Sequence, residues 1–281
     1  DGSDIIIAKF NDAGTQLLAS TYIGGTSNDG LNTVSTLRKN YADEVRGEII
    51  IDEQSNVYVA SCTQSHDFPA TFNTFNNVFN GGNQDGVLFK FSHDLAHLIW
   101  GSYLGGTGDD AAYSLVLASD NSLYVCGGTT SADLETSPTA VQPTYGGGAN
   151  DGFILHVSPN GNQLLQASYL GKEGYDQTYL VKKDRYDNPH LFGQTNATGN
   201  AWIQNAGWYV TSGGQFLTKL TPTLDSVIWS TAFGTGNGGL DISPTALLVD
   251  LCNNIYMSGW GSPITNGGLG GTAGLPITSD A

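Results

Sequence analysis

Basic residues, cysteine and long apolar runs are all scarce in this sequence. Only 10 Lys and Arg stand against 26 Asp and Glu, so the 281 residues carry a formal net charge of −16. Nucleic acids and anionic membrane surfaces require clustered Lys and Arg, and neither is therefore an expected partner. No apolar run is long enough to cross a membrane as a helix. No signal peptide is visible at Asp1, which predicts a processed start or a fragment.

The three cysteines follow no pattern that would bind a metal or form a disulfide framework. Cys62, Cys126 and Cys252 form no Cys-x-x-Cys pair, and no His lies at metal-ligand spacing from any of them. They also occupy different positions in the repeat described below, whereas a disulfide needs Cα atoms within about 7 Å. The sequence therefore predicts three free, buried thiols.

Glycine is abundant, at 38 residues, and stands with Asn, Asp and Thr between short apolar runs. This composition is typical of an all-β protein with many tight turns. An acidic, Lys-poor chain is also typical of secreted proteins and would tolerate Ca²⁺, and no other cofactor is expected. Solubility alone also explains the acidic charge and is the favoured explanation.

Three short phrases recur along the chain at a nearly constant spacing. The first is a Tyr-Leu-Gly-Gly-like turn that begins at Tyr22, Tyr103, Tyr169 and, more weakly, Phe233. The second is centred on residues that follow one another at steps of 66, namely Tyr58, Tyr124, His190 and Tyr256. The third opens each unit with an apolar segment that starts at Asp4, Asp85, Asp151 or Gln215. A fixed period of this kind indicates a repeat architecture.

Each unit contains four short strand candidates separated by turn residues. In the second unit they are residues 87–91, 98–103, 113–117 and 123–126. Because short turns join antiparallel neighbours, the sequence predicts the four-stranded antiparallel blades of a β-propeller. Four repeats are visible, at about 1–84, 85–150, 151–214 and 215–281, and we expect them to be part of a larger propeller. The first is longer because it contains a polar loop insertion at residues 33–46.

These phrases resemble the SBBP repeats of bacterial β-propellers over essentially the whole chain. The residues that carry the resemblance are Ser20-Thr21-Tyr22-Ile23-Gly24-Gly25, Gly108-Asp109-Asp110 and Gly127-Gly128-Thr129-Thr130-Ser131. The third and fourth units depart from the family pattern, because Lys172-Glu173 and Gly234-Thr235-Gly236 replace the usual glycine phrase. The resemblance implies a β-propeller fold.

The last unit also resembles large cell-surface proteins of gliding Bacteroidetes. The matching residues are Cys252-Asn253-Asn254-Ile255-Tyr256, Ser258-Gly259-Trp260-Gly261 and Gly274-Leu275-Pro276-Ile277-Thr278. Such proteins are exported by the type IX system, so the resemblance implies that the full-length protein uses this machinery. It further implies an extracellular location at the outer-membrane surface, without direct membrane insertion, and a role in adhesion or gliding motility.

The most regular polar position is an Asp that follows each glycine turn. Asp29, Asp110 and Asp176 lie seven residues after the Tyr of the turn, and Asp241 lies eight after Phe233. One carboxylate per blade would form a ring that binds a cation or another ligand at one mouth of the propeller channel. A turn Asp that accepts backbone N–H groups explains the repetition equally well and is the favoured interpretation. No dedicated metal ligands are expected.

Aromatic residues lie among Asn and Gly in the third and fourth units. Trp202, Trp208 and Tyr209 fall between strands of the third unit, and Trp260 falls in the fourth. Exposed aromatic rings stack on sugars, which makes these residues candidate ligand contacts. Packing between blades is the alternative and is the favoured one of the two.

Motifs for nucleophilic catalysis are missing from the sequence. There is no Gly-x-Ser-x-Gly elbow and no Cys beside a His, and only three Arg could bind a carboxylate substrate. We therefore expect no enzyme, but an adhesin or display scaffold that binds a protein or glycan partner through its loops. A carbohydrate-active propeller enzyme, either a lyase or a glycosidase, is the alternative.

One modification site is predicted from the family resemblance. Asp225-Ser226-Val227 resembles the Asp-Ser/Thr-apolar sequon for O-glycosylation in exported proteins of Bacteroidetes. Ser226 falls in a predicted hairpin and is expected to be exposed. An ordinary Asp-Ser pair that caps its own turn is an equal alternative.

Overall fold

The computed structural model describes residues 2–261 and 272–279. Within these residues the protein is all-β, and the only helical segment is a short 3-10 helix at Asp43–Val45. The strands are Ile5–Phe10 (β1), Leu17–Ile23 (β2), Glu48–Ile51 (β3), Val57–Thr63 (β4), Asp85–Phe91 (β5), Leu98–Leu104 (β6), Asp110–Leu117 (β7), Leu123–Thr129 (β8), Asp151–Val157 (β9), Leu164–Leu170 (β10), Asp176–Lys183 (β11), Pro189–Thr195 (β12), Gln215–Leu220 (β13), Val227–Phe233 (β14), Ser243–Val249 (β15) and Ile255–Trp260 (β16).

Twelve of these strands form three four-stranded antiparallel sheets. The first sheet is β3–β4–β5–β6, the second is β7–β8–β9–β10 and the third is β11–β12–β13–β14, each in chain order. The remaining strands form two antiparallel pairs, the N-terminal pair β1–β2 and the C-terminal pair β15–β16. The predicted all-β class with repeated four-stranded antiparallel sheets is therefore confirmed. Within the described residues the row of sheets does not close into a ring.

The strands lie where the sequence predicts them, but their grouping is different. Segments 87–91 and 98–103 belong to β5 and β6 of the first sheet, whereas 113–117 and 123–126 belong to β7 and β8 of the second. The predicted grouping was wrong because it treated the short link 105–109 as a hairpin. Five extended residues also span the distance to a neighbouring sheet. The strand that pairs with β5 is β4, on the far side of the long segment 64–84.

The hydrophobic core lies between neighbouring sheets. One cluster joins the first sheet to the second, and it includes the buried side chains of Leu88, Leu104, Phe153 and Leu155. Another joins the second sheet to the third, and it includes Cys126, Ile154, Leu191 and Phe216. Each fully buried Leu, Ile or Phe side chain stabilises the fold by about 1.5–3 kcal/mol relative to an exposed one. The sheets are therefore held in their row by face-to-face packing.

The first strands of the sheets face one another, and the last strands lie at the outside. β7 contacts β11, and β11 contacts β15, whereas β6, β10 and β14 form the far edges of their sheets. The first strands therefore line the centre of the row.

Residues 33–46, which the sequence shows only as a polar insertion, form a plug between the first strands. The carbonyl oxygen of Leu37 accepts a hydrogen bond from Tyr113 Oη of β7 at 2.8 Å. Asp43 accepts one from Tyr179 Oη of β11 at 2.9 Å, and Asn40 Nδ2 donates to the same hydroxyl at 2.7 Å. Leu37, Asn40 and Asp43 are all buried. The plug therefore occupies the space at the centre of the row.

Candidate functional site

The four repeated Asp residues are buried, and three of them lie at or just before the start of a first strand. Asp110 and Asp176 are the first residues of β7 and β11. Asp241 lies two residues before β15, and Asp29 forms an isolated bridge to Thr63 ahead of the plug. Each side chain reaches back to the turn before it. The carboxylates accept backbone N–H groups at 2.7 to 2.9 Å from Gly25, Gly106, Lys172 and Thr235, respectively.

Hydroxyl groups also donate hydrogen bonds to these carboxylates, as at Asp241, which accepts one from Thr235 Oγ1 at 2.7 Å. Oδ2 of Asp110 accepts a hydrogen bond from Ser131 Oγ at 2.8 Å, and Oδ2 of Asp29 accepts one from Ser65 Oγ at 2.9 Å. Thr63 also donates its hydroxyl to Asp29. These contacts fix the glycine turn against the segment that follows the second strand. A capping role therefore accounts for the repetition of the Asp, as one of the two interpretations expected.

A shared cation site for the four carboxylates stays a prediction. Among residues 2–261 and 272–279, no three or more His, Cys, Asp or Glu side chains are grouped in a way that could hold a metal ion. Each repeated Asp belongs to its own sheet and is held by donors close to it. Melting curves with and without Ca²⁺ would test whether the protein binds this cation, because a ligand that binds the folded state raises the melting temperature.

In the second repeat, the carboxylate of Asp85 faces the repeated carboxylate of Asp110 across the glycine turn. A Cβ atom added to Gly105 would lie 2.5 Å from Asp110 Oδ2 and 2.9 Å from Asp85 Oδ1, so the two acids approach the same point. Burial, with the charges of Asp110 and Asp109, raises the pKa of Asp85 to about 8. Burial, with the charge of Asp176, likewise raises the pKa of Asp151 to about 7. Only a glycine leaves room for this approach.

Trp202 is not exposed, which corrects the description of it as an exposed aromatic. Its ring stacks on Phe216 with centroids 3.8 Å apart and planes inclined by 4°. Its Nε1 donates to Thr195 Oγ1 at 2.9 Å and to Asp176 Oδ1 at 3.2 Å. The side chain is 6% exposed, because the segment between β12 and β13 folds back over the third sheet. Packing, the favoured alternative, is what the structure shows for this residue.

Trp208 and Tyr209 are exposed and lie side by side in the same segment. Their side chains are 57% and 47% exposed. The carbonyl oxygen of Trp208 accepts a hydrogen bond from Thr231 Oγ1 of β14 at 2.6 Å, and Val210 N donates to the carbonyl oxygen of Ala232 at 2.8 Å. The pair is therefore held on the outer edge of the third sheet by backbone contacts. This arrangement presents two rings to solvent on a fixed support.

Trp260 is the last residue of β16, and its ring is 53% exposed. No contact joins it to Trp208 or Tyr209 among the interactions of the described residues. The structure thus brings together Asp176 and Trp202 of the predicted site, and it leaves Trp208 with Tyr209 and Trp260 as separate surface aromatics.

A cleft of about 360 Å³ lies between the first and second sheets and is lined by two carboxylates. They belong to Asp133 and Glu135, and both side chains are exposed. The backbone N–H of Thr107 donates to Asp133 and lowers the pKa of that carboxyl. A general acid at neutral pH needs a raised pKa, so Asp133 is not suited to that role.

The predicted modification site and all three cysteines lie within the residues that the structure describes. Ser226 is exposed in the turn between β13 and β14, as predicted. All three cysteines are free, as predicted. Cys62 and Cys126 are buried, but Cys252 is exposed, which corrects the expectation of three buried thiols. Its position in the turn between β15 and β16 explains the exposure.

Sequence reasoning missed the buried polar network around the plug. Asp43 accepts hydrogen bonds from Asn40 N at 2.7 Å and pairs with Arg46 Nε at 3.1 Å. The Arg46 guanidinium also lies 4.6 Å from the centroid of the Tyr179 ring. The one signal in the sequence was the longer first repeat, which shows that residues are inserted but not where they fold.

No protein-family model matches this chain, and neither does any curated protein. Among the residues that the structure describes, no helix is long and apolar enough to cross a membrane.

Proposed function

We propose that this chain is a binding or display module of an extracellular adhesin, and that it holds a glycan or protein partner on its surface loops. The observation that carries the proposal is the exposed pair Trp208 and Tyr209 on a loop anchored to β14. Aromatic rings with little rotational freedom provide large contact areas at a low entropic cost. Loops on a rigid β scaffold are common places for such contacts.

The scaffold is proposed to be part of a β-propeller of the SBBP type. Three sheets repeat in one strand order, and their first strands face a common centre, as the blades of a propeller do. Its resemblance to surface proteins of gliding Bacteroidetes supports export by the type IX system and a location at the outer-membrane surface. O-glycosylation of Ser226 belongs to the same proposal, since its hydroxyl lies on an exposed turn.

A non-catalytic role is preferred because the acids of the protein are poorly placed for catalysis. The acids with raised pKa values, such as Asp85 and Asp151, are buried between strands. The acids that line the cleft between the first two sheets are exposed. Glycoside cleavage requires one carboxyl group that donates a proton beside a second carboxylate, and the lowered pKa of Asp133 does not suit that residue to donate a proton.

A binding screen followed by product analysis tests this proposal. The purified chain would be applied to a panel of immobilised glycans and surface proteins, and each bound glycan would then be incubated with it. The proposal predicts binding without shortened or unsaturated products. Cleavage of a bound glycan would favour the enzyme alternative, and the absence of binding to every glycan and protein would contradict the proposal.

A further inference from the structure

A second cleft, of about 420 Å³, lies where the first sheet meets the turn between β9 and β10. Its apolar lining comes from Phe72, Ile99, Trp100 and Pro159, and its polar lining includes Asn73 and Asn160. The ring of Phe72 is 87% exposed, whereas Trp100 is 4% exposed, so the cleft has an open aromatic wall and a buried aromatic floor. A volume of about 300–1,000 Å³ with apolar walls and a few polar groups is typical of a ligand site.

The segment that carries Phe72 is held against β6 by backbone hydrogen bonds on both sides of the ring. Before it, the backbone N–H of Thr71 donates to the carbonyl oxygen of Gly101 at 2.8 Å. After it, the backbone N–H of Tyr103 donates to the carbonyl oxygen of Asn76 at 3.0 Å. The exposed ring therefore stands on a fixed support, which lowers the entropic cost of a contact with a ligand.

Trp100 is fixed as well, but its indole N–H has no acceptor. A Cβ atom added to Gly161 would lie 2.6 Å from Cδ2 of Trp100, so the turn between β9 and β10 packs directly on the ring. The edge of the Tyr58 ring lies on it too, with centroids 6.2 Å apart. Nε1 of Trp100 is buried without a hydrogen-bond partner among the described residues. Buried indole N–H groups usually find an acceptor, and a hydroxyl group bound in the cleft would provide one.

The cleft carries no unbalanced charge. In the part of the chain that the structure describes, Lys90 is the only charged residue that lines it, and Lys90 Nζ lies 3.2 Å from Oδ2 of Asp52. The side chain of Asn73 has no hydrogen-bond partner among those residues. Asn160 accepts one hydrogen bond, from Ser158 Oγ at 2.9 Å, and keeps its amide N–H groups for another partner. An aromatic ring beside free amides, without net charge, fits an uncharged sugar better than a charged group.

The third sheet has the same arrangement at the exposed pair on which the proposed function depends. The backbone N–H of Gln204 donates to the carbonyl oxygen of Ser230 at 2.8 Å, as Thr71 donates to Gly101 in the first sheet. Trp208 follows this contact in the third sheet, as Phe72 follows the other in the first. In both sheets, therefore, the segment between the second and third strands presents an exposed aromatic ring where it crosses the fourth strand.

The second sheet lacks these aromatic residues. Its segment is anchored in the same way, since Ser137 N donates to the carbonyl oxygen of Ala167 at 2.9 Å, but the next two residues are the exposed Pro138 and Thr139. The fourth strands differ in the same sense. The residues paired between third and fourth strands are Lys90 with Trp100 in the first sheet, His156 with Gln166 in the second and Lys219 with Trp229 in the third. The aromatic residues are therefore a property of two sheets, and the repeat itself does not require them.

We propose that the cleft at Phe72 binds an uncharged hexose ring of a glycan, with the apolar face of the sugar on Phe72 and its hydroxyl groups on Asn73 and Asn160. It is a second ligand site, equivalent to the one at Trp208, and this inference rests on the binding function proposed above. The cleft presents one exposed ring, whereas Trp208 and Tyr209 present two, so it is the weaker of the two sites.

The indole N–H signals in NMR spectra of the isotope-labelled 281-residue chain test each site separately. Maltohexaose and cellohexaose, two uncharged hexose oligomers, would be titrated into the protein. The inference predicts that one of them shifts the assigned signal of Trp100 as well as that of Trp208. Phe72→Ala should weaken the response of Trp100 at least about tenfold and leave that of Trp208 unchanged. Tyr41→Ala removes an equally exposed ring from the plug and should leave both responses unchanged.

The two signals separate a failure of this inference from a failure of the proposed function. A response of Trp208 without one of Trp100 would overturn the cleft site and leave the proposed function standing. A response of Trp100 that is equally strong in Phe72→Ala would overturn the cleft site too, as would the absence of any response to either oligomer. A response of Trp100 alone would support the cleft and count against Trp208 as a glycan contact. Because Phe72 is exposed, its removal should leave the fold intact, which circular dichroism would check.

Discussion

Asp176 and Trp202, predicted as separate ligand contacts, bind each other: Oδ1 of Asp176 lies 3.2 Å from Nε1 of Trp202. The same indole N–H is shared with Thr195 Oγ1, and the ring lies flat on Phe216. A buried indole needs a hydrogen-bond acceptor, and the repeated turn carboxylate provides it here. The contact fastens the segment between β12 and β13, which carries Trp208, to the third sheet.

Removing the Trp202 ring should destabilise the protein far more than removing an exposed ring. Trp202→Ala opens a cavity over Phe216 and is expected to lower the free energy of unfolding by about 3–5 kcal/mol. Trp208→Ala, only six residues away, should change it by no more than about 0.5 kcal/mol, because that ring is exposed. Urea unfolding of both variants measures the difference. Equal effects would show that Trp202 is not packed as described.

The buried carboxyl groups of Asp85 and Asp151 should make the free energy of unfolding depend on pH. Because the folded pKa of Asp85 is raised to about 8, the folded state binds more protons than the unfolded state between about pH 4 and pH 8. Stability from this group is therefore fully present at low pH and is lost as the pH rises through about 8. Asp151, with a pKa of about 7, acts in the same direction.

Asp85→Asn should reduce that loss, because the amide cannot ionise and Gln215 already occupies the equivalent position in the last repeat. The free energy of unfolding would be measured from pH 4 to pH 9 for the variant, for wild type and for Asp12→Asn, which alters an exposed turn acid. An Asp85→Asn profile parallel to that of wild type would contradict the raised pKa.

The plug should depend on the carboxylate of Asp43. Asp43→Ala leaves Arg46 and the Tyr179 hydroxyl without their partner at a buried position, and the expected cost is about 3–5 kcal/mol of unfolding free energy. Glu44→Ala removes the adjacent exposed acid and its surface ion pair with Arg38, which should cost at most about 1 kcal/mol. Thermal melting distinguishes the two. A melting temperature for Asp43→Ala close to that of Glu44→Ala would argue against a structural plug.

The thiols should differ sharply in reactivity. Cys252 is exposed and should react with a thiol reagent in the native protein, whereas Cys62 and Cys126 should react only after unfolding. Burial, with the charge of Asp29, raises the pKa of Cys62 to about 12, which further suppresses its reactive thiolate. Mass spectrometry after labelling counts the modified residues, and native labelling of Cys62 or Cys126 would be inconsistent with their burial.

The sequence predicted the strand positions because the same tyrosine and glycine phrases recur in every repeat, as at Tyr58 and Tyr124. It did not predict which strands share a sheet, since the short link 105–109 suits both a hairpin and a step to the next sheet. The burial of Trp202 depends on Phe216, fourteen residues further on in strand β13, and local composition carries no signal for it. The plug was visible only as added length, because its place is set by contacts with Tyr113 and Tyr179.

The most direct test of the proposed binding role is the affinity of the Trp208→Ala variant for whichever glycan or protein the wild-type chain binds. Titration calorimetry would compare it with wild type and with Tyr186→Ala, which removes an exposed ring from the turn between β11 and β12. The account predicts that Trp208→Ala weakens binding by about tenfold or more, while Tyr186→Ala binds as wild type does. Unchanged affinity in Trp208→Ala would contradict the account.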